Sequence, residues 1–134
     1  MTKQEITDLS YNVLGACIEV HKSLGPGLLE SVYHSCLVHE LALRNINFVS
    51  ELIIPIKYKD IVIESILRCD LLIENVLVLE LKSVRELAPV HDAQLMTYMK
   101  LLKAPKGMLI NFNCYNLMQE GQKSKVNEYF NDLP

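Results

Sequence analysis

The sequence predicts an α/β protein in which a mixed central sheet is flanked by helices. Three observations support this fold class. Apolar residues recur every three or four positions up to about residue 44, they alternate with a period of two from Phe48, and a helical period returns near Leu95 before a last apolar run. The predicted order of elements is therefore ααβββαβ.

Two helices are predicted in the first third of the chain. Thr2 and Glu5 have the spacing of a capping box, and an apolar stripe of about five turns follows them. The segment Gly25, Pro26, Gly27 should end this helix, because proline lacks an amide donor and glycine adopts backbone angles that other residues resist. The second helix should end near Arg44 and Asn45. Its predicted buried stripe consists of Leu29, Val32, Tyr33, Cys36, Leu37, Leu41 and Leu43.

Three strands in antiparallel succession are predicted next, near residues 48–58, 61–72 and 76–83. β-Branched residues are frequent here, and Pro55 suits an edge strand or a bulge better than a central strand. Turns are expected at Lys59 and Asp60 and at Glu74 and Asn75.

A third helix and a fourth strand complete the predicted core. The helix, of about 12 residues around Leu95 and Leu102, should end at Ala104 and Pro105. Residues 107–112 read as a short buried strand, which should lie parallel to the strand before the crossover helix. We expect one domain over residues 1–134, with its core at about residues 5–113 and a tail at 116–134 that the pattern does not assign.

The sequence shows no targeting segment and no membrane-spanning segment. The N-terminus lacks the pattern of a signal peptide, and no apolar run approaches the roughly 18 residues that span a bilayer, so we expect a cytoplasmic protein that does not bind membranes.

The cysteines form no CxxC pair and the histidines are scattered, which argues against a zinc or redox site and predicts reduced core cysteines. These cysteines are Cys17, Cys36, Cys69 and Cys114.

The net charge of −3 counts against a nucleic-acid partner held mainly by electrostatic attraction. The charge is uneven, however, because residues 1–80 hold six basic and eleven acidic side chains whereas residues 81–134 hold seven basic and five acidic ones. A basic surface and an ordinary solvated surface both remain open for the second segment. Its lysines include Lys100, Lys103, Lys106, Lys123 and Lys125.

Glu80 and Lys82 form the first candidate functional pair. They are two residues apart in a strand built otherwise from valine and leucine, so both charged groups leave by the same face. Burying a carboxylate and an ammonium group is costly unless a partner or a metal compensates them. An ion pair at an exposed strand end and a functional pair are equally consistent with these two residues alone.

Asp70 favours the functional interpretation, because it closes the preceding strand and can approach Glu80 across the hairpin. A two-residue turn at Glu74 and Asn75 would place Asp70 on the wrong face, so a three-residue turn or a bulge is required. Asn75 suits the left-handed position of such a turn. Two converging carboxylates would offer the hard oxygen ligands that Mg²⁺ prefers, with Lys82 beside the metal.

These residues resemble the PD-(D/E)XK nuclease superfamily, whose core pattern is an acid, a hairpin and then (D/E)xK. Asp70 with the run Glu80, Leu81, Lys82 matches that pattern. Residues 27–33, GLLESVY, resemble the GxxExxY signature of the small bacterial GxxExxY proteins placed within the superfamily, and residues 94–98, QLMTY, resemble the QxxxY motif of RecB-type members. The resemblance covers about residues 5–113, and Cys69 stands where the superfamily name has proline.

The resemblance implies a nuclease that uses Mg²⁺ or Mn²⁺ to hydrolyse phosphodiester bonds of nucleic acid, DNA more than RNA. It implies that Asp70, Glu80 and the Leu81 carbonyl hold the metal, with Glu30 as a further candidate ligand, and that Lys82 orients or deprotonates the attacking water. Gln94 and Tyr98 would hydrogen-bond a phosphate or a carboxylate. Further candidates for substrate contact are His91, Lys100 and Lys103.

Other interpretations remain open from the sequence. Glu30 also suits the first turn of a helix, where the helix dipole favours a carboxylate, and Tyr33 suits core packing with or without a hydroxyl contact to an acid. The whole chain could be an inactive nuclease fold that binds nucleic acid or a protein, or a structural domain whose acids match the motif by chance. Homodimer formation is compatible with each of these.

Overall fold

The computed structural model describes residues 1–64 and 67–134. The helices are α1 (Lys3–Leu24), α2 (Glu30–Leu43), α3 (Pro89–Leu102), α4 (Leu117–Glu120) and α5 (Glu128–Asn131). The strands are β1 (Phe48–Ile53), β2 (Ile56–Tyr58), β3 (Ile61–Ile63), β4 (Arg68–Ile73), β5 (Leu77–Lys82), β6 (Lys106–Asn111) and β7 (Gln122–Val126). The predicted order ααβββαβ is present, with added pieces in the β region and the tail.

The central sheet has five strands in the order β1-β4-β5-β6-β7. β4 pairs antiparallel with both β1 and β5, whereas β5 pairs parallel with β6 across the helical crossover through α3. The predicted mixed sheet flanked by helices is thus confirmed, as is the parallel pairing of the last core strand. The parallel pairing brings the carboxyl ends of β5 and β6 to the same edge of the sheet.

The helices cover both faces of the sheet. Leu77, Leu79 and Leu81 pack in one buried cluster with side chains of α1 and α2, whereas Val78 packs with α3 in a second cluster. The strand therefore shows the alternation of a sheet buried on both sides. Glu80 and Lys82 leave β5 on the side of Val78, as the spacing predicts.

The first predicted hairpin is divided into two parts. β1 pairs with β4 in the main sheet, but β2 and β3 form a separate two-stranded sheet beyond Ile54 and Pro55. The prediction of continuous strands over residues 48–58 and 61–72 is therefore wrong. Residues 65 and 66, which belong to the second predicted strand, lie outside the part of the chain that the structure describes. Pro55 has no amide to donate to a ladder, so the break falls there on an edge strand.

The sequence pattern predicts the start of α1 correctly, but it predicts the buried residues of α2 only in part. Thr2 and Glu5 form the predicted capping box at the start of α1. In α2, however, the buried residues are Tyr33, Leu37 and Leu41, and Leu29 is 74% exposed. The stripe of α2 follows the i, i+4, i+8 row that faces the sheet, so the predicted members Leu29, Val32 and Leu43 lie outside the core.

The unassigned tail supplies the fifth strand. β7 pairs antiparallel with β6, and the short helices α4 and α5 flank it. Its residues, QKSKV, lack a hydrophobic period because β7 is an edge strand whose side chains are mostly exposed. No helix in the described part of the chain is long and apolar enough to cross a membrane.

Candidate functional site

The turn between β4 and β5 determines which residues face each other. Ile73 pairs with Leu77, so three residues form the connection. Glu74 and Asn75 both have left-handed φ values, 50° and 60°, and the Val76 amide donates to the Ile73 carbonyl at 3.0 Å. The predicted three-residue turn is therefore confirmed, and its register places Asp70 opposite Glu80.

β4 and β5 separate at this pair of acids. The regular register ends at Leu71 and Leu79. Beyond it, the Asp70 amide donates to Oε2 of Glu80 at 2.8 Å, and the Leu81 amide donates to Oδ2 of Asp70 at 2.7 Å. Side-chain oxygens thus replace the backbone acceptors of the ladder. The result is a fork between the strands in which both carboxylates are held by backbone amides.

The backbone is irregular around Asp70. Glu51, which lies opposite it on β1, has a left-handed φ of 54°, and the regular pairing of β1 with β4 omits these two residues. Cys69 also packs in the same cluster as Leu72, although strict alternation would place these two side chains on opposite faces. This irregularity turns Asp70 toward β5, where its carboxylate reaches the Leu81 amide.

The environment of Glu80 disfavours a negative charge. The side chain is 2% exposed, and burial, followed by the nearby charge of Asp70, raises the pKa of Glu80 to about 8. The hydrogen bond from the Asp70 amide and the charge of Lys82 act in the opposite direction. A proton or a cation in the fork would therefore relieve the electrostatic cost of these two carboxylates.

Glu30 lies near this fork but is not joined to it. It begins α2, on the other side of the sheet, and its pKa is raised by partial burial and then by the charge of Asp70. In residues 1–64 and 67–134, no three His, Cys, Asp or Glu side chains lie close enough together to hold a metal ion. The structure thus brings together Asp70 and Glu80, with Glu30 within electrostatic reach.

Lys82 supplies a positive charge that acts on these acids. Its charge lowers the pKa of Glu30 and that of Glu80, so the ammonium group lies within electrostatic range of both carboxylates. Lys82 is half-buried, and among the described residues it forms no salt bridge. The ammonium group therefore keeps its donors available for a ligand or a water molecule.

Gln94 and Tyr98 approach the fork from α3. Nε2 of Gln94 donates to the Tyr98 hydroxyl at 2.9 Å, so the predicted shared helix face is confirmed. Burial raises the pKa of Tyr98, the hydrogen bond from Gln94 opposes this shift, and the charges of Glu80 and Asp70 contribute to it. The Tyr98 hydroxyl is therefore within electrostatic range of the two acids of the fork.

Comparison with known protein families agrees with this arrangement. A family model described as the PD-(D/E)XK nuclease superfamily matches residues 7–124. The chain belongs to the PD-(D/E)XK nuclease superfamily. No curated protein and no solved structure matches it. The more specific GxxExxY and QxxxY motifs remain resemblances within the superfamily.

The donor set of the fork fits the divalent metal that membership of the superfamily implies. Asp70 and Glu80 provide two hard carboxylate groups, each held at one oxygen by a backbone amide. The amide and carbonyl of a strand residue point toward the same neighbouring strand. Because the Leu81 amide faces Asp70, the Leu81 carbonyl faces the fork as well. Its role as a metal ligand stays a prediction.

Tyr33 of the GxxExxY-like segment holds the loop before α2. Its ring stacks on Phe112 at 4.4 Å between centroids, and its hydroxyl donates to the Gly25 carbonyl at 2.5 Å and accepts from the Leu28 amide at 3.2 Å. Gly25 and Gly27 have φ values of 70° and 94°, so this loop needs glycine. Tyr33 thus packs in the core and also holds the loop before α2. Its hydroxyl bonds to two backbone groups, and no contact with an acid is present among the described residues.

Tyr33→Phe should destabilise the protein by about 1 to 2 kcal/mol, because it removes both hydroxyl contacts and keeps the stacked ring. The midpoint and slope of urea unfolding measure this change. Tyr58→Phe, at an exposed position on β2, serves as the control and should leave the midpoint unchanged. Equal midpoints for Tyr33→Phe and the wild type would contradict the role of the hydroxyl.

The sequence interpretation missed two residues that position the segment after β5. Asn111, only 5% exposed, accepts from the Val84 amide at 3.1 Å and donates to the Val84 carbonyl at 3.0 Å. Ser83 donates to the Leu28 carbonyl at 2.6 Å and so joins this segment to the loop before α2. Asn111 was detectable, because a polar residue ends an apolar run beside the carboxyl end of a parallel strand.

The further candidates for substrate contact lie at different places. Nδ1 of His91 accepts from the Ala88 amide at 2.9 Å and caps the start of α3. Lys100 lies in a depression with Asn127 and Tyr129, away from the buried face of α3. Lys103 lies beside Asn75 and Val76, at the turn end of β5 and about 13 Å along the helix from Gln94. Of the two possibilities that the sequence left open for these lysines, the structure favours an ordinary solvated surface over a continuous basic one, because Lys123 and Lys125 face Asp92 at 3.6 and 4.0 Å.

Proposed function

We propose that this chain is a Mg²⁺- or Mn²⁺-dependent nuclease that hydrolyses phosphodiester bonds, with DNA as its substrate. The observation that carries the proposal is the fork between β4 and β5, where two carboxylates are held by backbone amides and the charge of Lys82 acts on Glu80. Membership of the nuclease superfamily supports the same reaction class.

The carboxylates of Asp70 and Glu80 and the carbonyl of Leu81 would hold the metal. When bound, the cation would lower the pKa of a water molecule and neutralise the charge that develops on the phosphate. The amide contacts keep Asp70 and Glu80 oriented before any ligand arrives, which reduces the reorganisation needed for binding. Glu30 would add a further ligand or would hold a bound water from the other side of the fork.

The other residues would act on the substrate and the attacking water. Lys82, within electrostatic range of Glu30 and Glu80 and without a salt bridge to any described residue, would orient the water and stabilise negative charge on the phosphate. The amide group of Gln94 and the hydroxyl of Tyr98 would hydrogen-bond a phosphate oxygen or keep the Glu80 carboxylate in place. We also propose a cytoplasmic location, since all four cysteines are free thiols, as expected in a reducing compartment.

Asp70→Asn should abolish saturable Mn²⁺ binding and lower DNA cleavage by at least about a hundredfold, because it removes one of the two anionic ligands of the proposed metal site. Isothermal titration calorimetry measures the binding, and a plasmid-nicking assay with Mg²⁺, Mn²⁺ or EDTA measures the cleavage. Glu19→Gln, an exposed substitution on α1, is the matched control.

The outcomes distinguish the functions that the sequence left open. Mn²⁺ binding that is sensitive to Asp70→Asn, without cleavage of DNA or RNA, would favour an inactive binding module. Absence of saturable Mn²⁺ binding would remove the basis of the metal site. Cleavage that persists unchanged in Asp70→Asn would show that the activity belongs to another site or to a contaminant.

A further inference from the structure

A groove lies at the carboxyl ends of β5 and β6, where its lining includes Asn111 and Arg85. Its volume is about 660 Å³, and its two sides are the loop before α2, at Pro26 and Gly27, and the segment after β5, at Arg85. Asn111, which pairs in register with Lys82, forms part of its lining. The hydrogen bond from Ser83 to Leu28 links the two sides. The groove therefore continues from the segments that carry Glu30 and Lys82.

Tyr115 lines this groove and is 90% exposed. Its backbone is held on both sides. Before the ring, the Cys114 carbonyl contacts Nε2 of His21 at 2.8 Å and the Tyr115 amide donates to Glu120 at 3.3 Å; after it, the Asn116 amide donates to Glu120 at 3.4 Å. An exposed aromatic ring on a fixed loop is suited to stack on a flat apolar ligand. Unpaired nucleic-acid bases provide such faces, whereas the bases of a duplex are covered by their neighbours.

The charges of the groove indicate modest attraction for phosphates. Arg85 forms no salt bridge in the described part of the chain, and Lys123 is 3.6 Å from Asp92. Two acids, Glu86 and Glu120, also line the groove. Because the cations are balanced by these acids and the whole chain has a charge of −3, binding here must depend on stacking more than on counterion release.

Taking the proposed nuclease function as its basis, we infer that this groove binds a single-stranded segment of the substrate next to the bond that is cleaved. Tyr115 stacks on a base, and Arg85 and Lys123 contact phosphates. The substrate class is therefore single-stranded DNA or DNA with an unpaired end, and a fully paired duplex lacks the base face that Tyr115 needs.

Fluorescence anisotropy in EDTA tests this inference without any need for metal or cleavage. The probes are a fluorescein-labelled DNA strand of 12 nucleotides and the same strand annealed to its complement. The single strand should bind on the order of tenfold more tightly, and Tyr115→Ala should weaken its binding on the order of tenfold. Tyr115→Phe keeps the stacking face and should bind as the wild type does. Tyr11→Ala, at an exposed position on α1, is the matched control.

The salt dependence gives a second test. Two phosphate contacts predict a slope of about −1.4 for the logarithm of the association constant against the logarithm of salt concentration, and Arg85→Ala should reduce its size by about 0.7. Equal affinity for strand and duplex, or unchanged affinity in Tyr115→Ala, would overturn the inference even if the protein cleaves DNA. Binding that depends on Tyr115 without cleavage would support the groove and contradict the nuclease proposal instead.

Discussion

Lys82→Ala should lower the rate constant of DNA cleavage by about a hundred- to a thousandfold, while Mn²⁺ affinity stays close to that of the wild type. We expect the cleavage rate to fall without a change in Mn²⁺ affinity, because the proposed ligands are the oxygens of Asp70, Glu80 and Leu81. Lys82 acts on the water and the phosphate. Removing the ammonium group leaves the metal ligands in place and removes the positive charge that stabilises the transition state.

Single-turnover cleavage and calorimetric titration of Mn²⁺ measure the two quantities on the same preparation. Lys82→Arg keeps a positive charge but replaces a compact ammonium group with a planar guanidinium that does not give up its proton. Lys82→Arg should restore part of the cleavage rate if the main role of Lys82 is to stabilise negative charge. It should restore none if Lys82 takes a proton from the attacking water. Lys22→Ala, on the exposed end of α1, is the control. Full activity in Lys82→Ala would exclude the proposed role.

The metal-free protein should lose stability as the pH rises from about 5 to 8. Burial and the charge of Asp70 raise the pKa of Glu80 to about 8, so the folded state holds a proton that the unfolded chain releases near its ordinary value. The native state therefore binds more protons than the unfolded state in this range, and the free energy of unfolding falls as the pH rises. We expect the free energy of unfolding to fall by an amount on the order of 3 kcal/mol over this range. The fall is smaller than the full pKa shift of Glu80 implies, because the fork can relax.

Urea unfolding in EDTA at pH 5.5, 7 and 8.5 measures this dependence. Glu80→Gln keeps an acceptor for the Asp70 amide and has no charge to bury, so its stability should vary much less over the same range. Mn²⁺ should stabilise the wild type more at pH 8 than at pH 5.5, because protons compete with the metal for Glu80. A wild type and a Glu80→Gln variant with parallel pH profiles would contradict the electrostatic description of the fork.

Much of the fold could be predicted because its signals are local. The capping box of Thr2 and Glu5, the break at Gly25 and Gly27 and the change from a helical to a strand period each depend on residues close in sequence. The turn before β5 also followed in part from sequence, since Asp70 and Glu80 can lie on the same side only with a three-residue turn or a bulge. The division of the first hairpin at Pro55 and the edge strand β7 were missed, because neither has a distinctive hydrophobic period.

The sequence by itself determined the order of the core elements and the common face of Glu80 and Lys82, because these follow from the periods of helices and strands. It allowed Asp70 to face Glu80, and the structure decided this pairing through the three-residue turn between β4 and β5. Only the tertiary structure decided that Glu30, from a helix on the other side of the sheet, comes within electrostatic reach of Asp70 and that Asn111 anchors the segment after β5. It also decided that Tyr115 shares a groove with Arg85. These placements depend on how helices and loops distant in sequence pack at one edge of the sheet, and no local pattern encodes that packing.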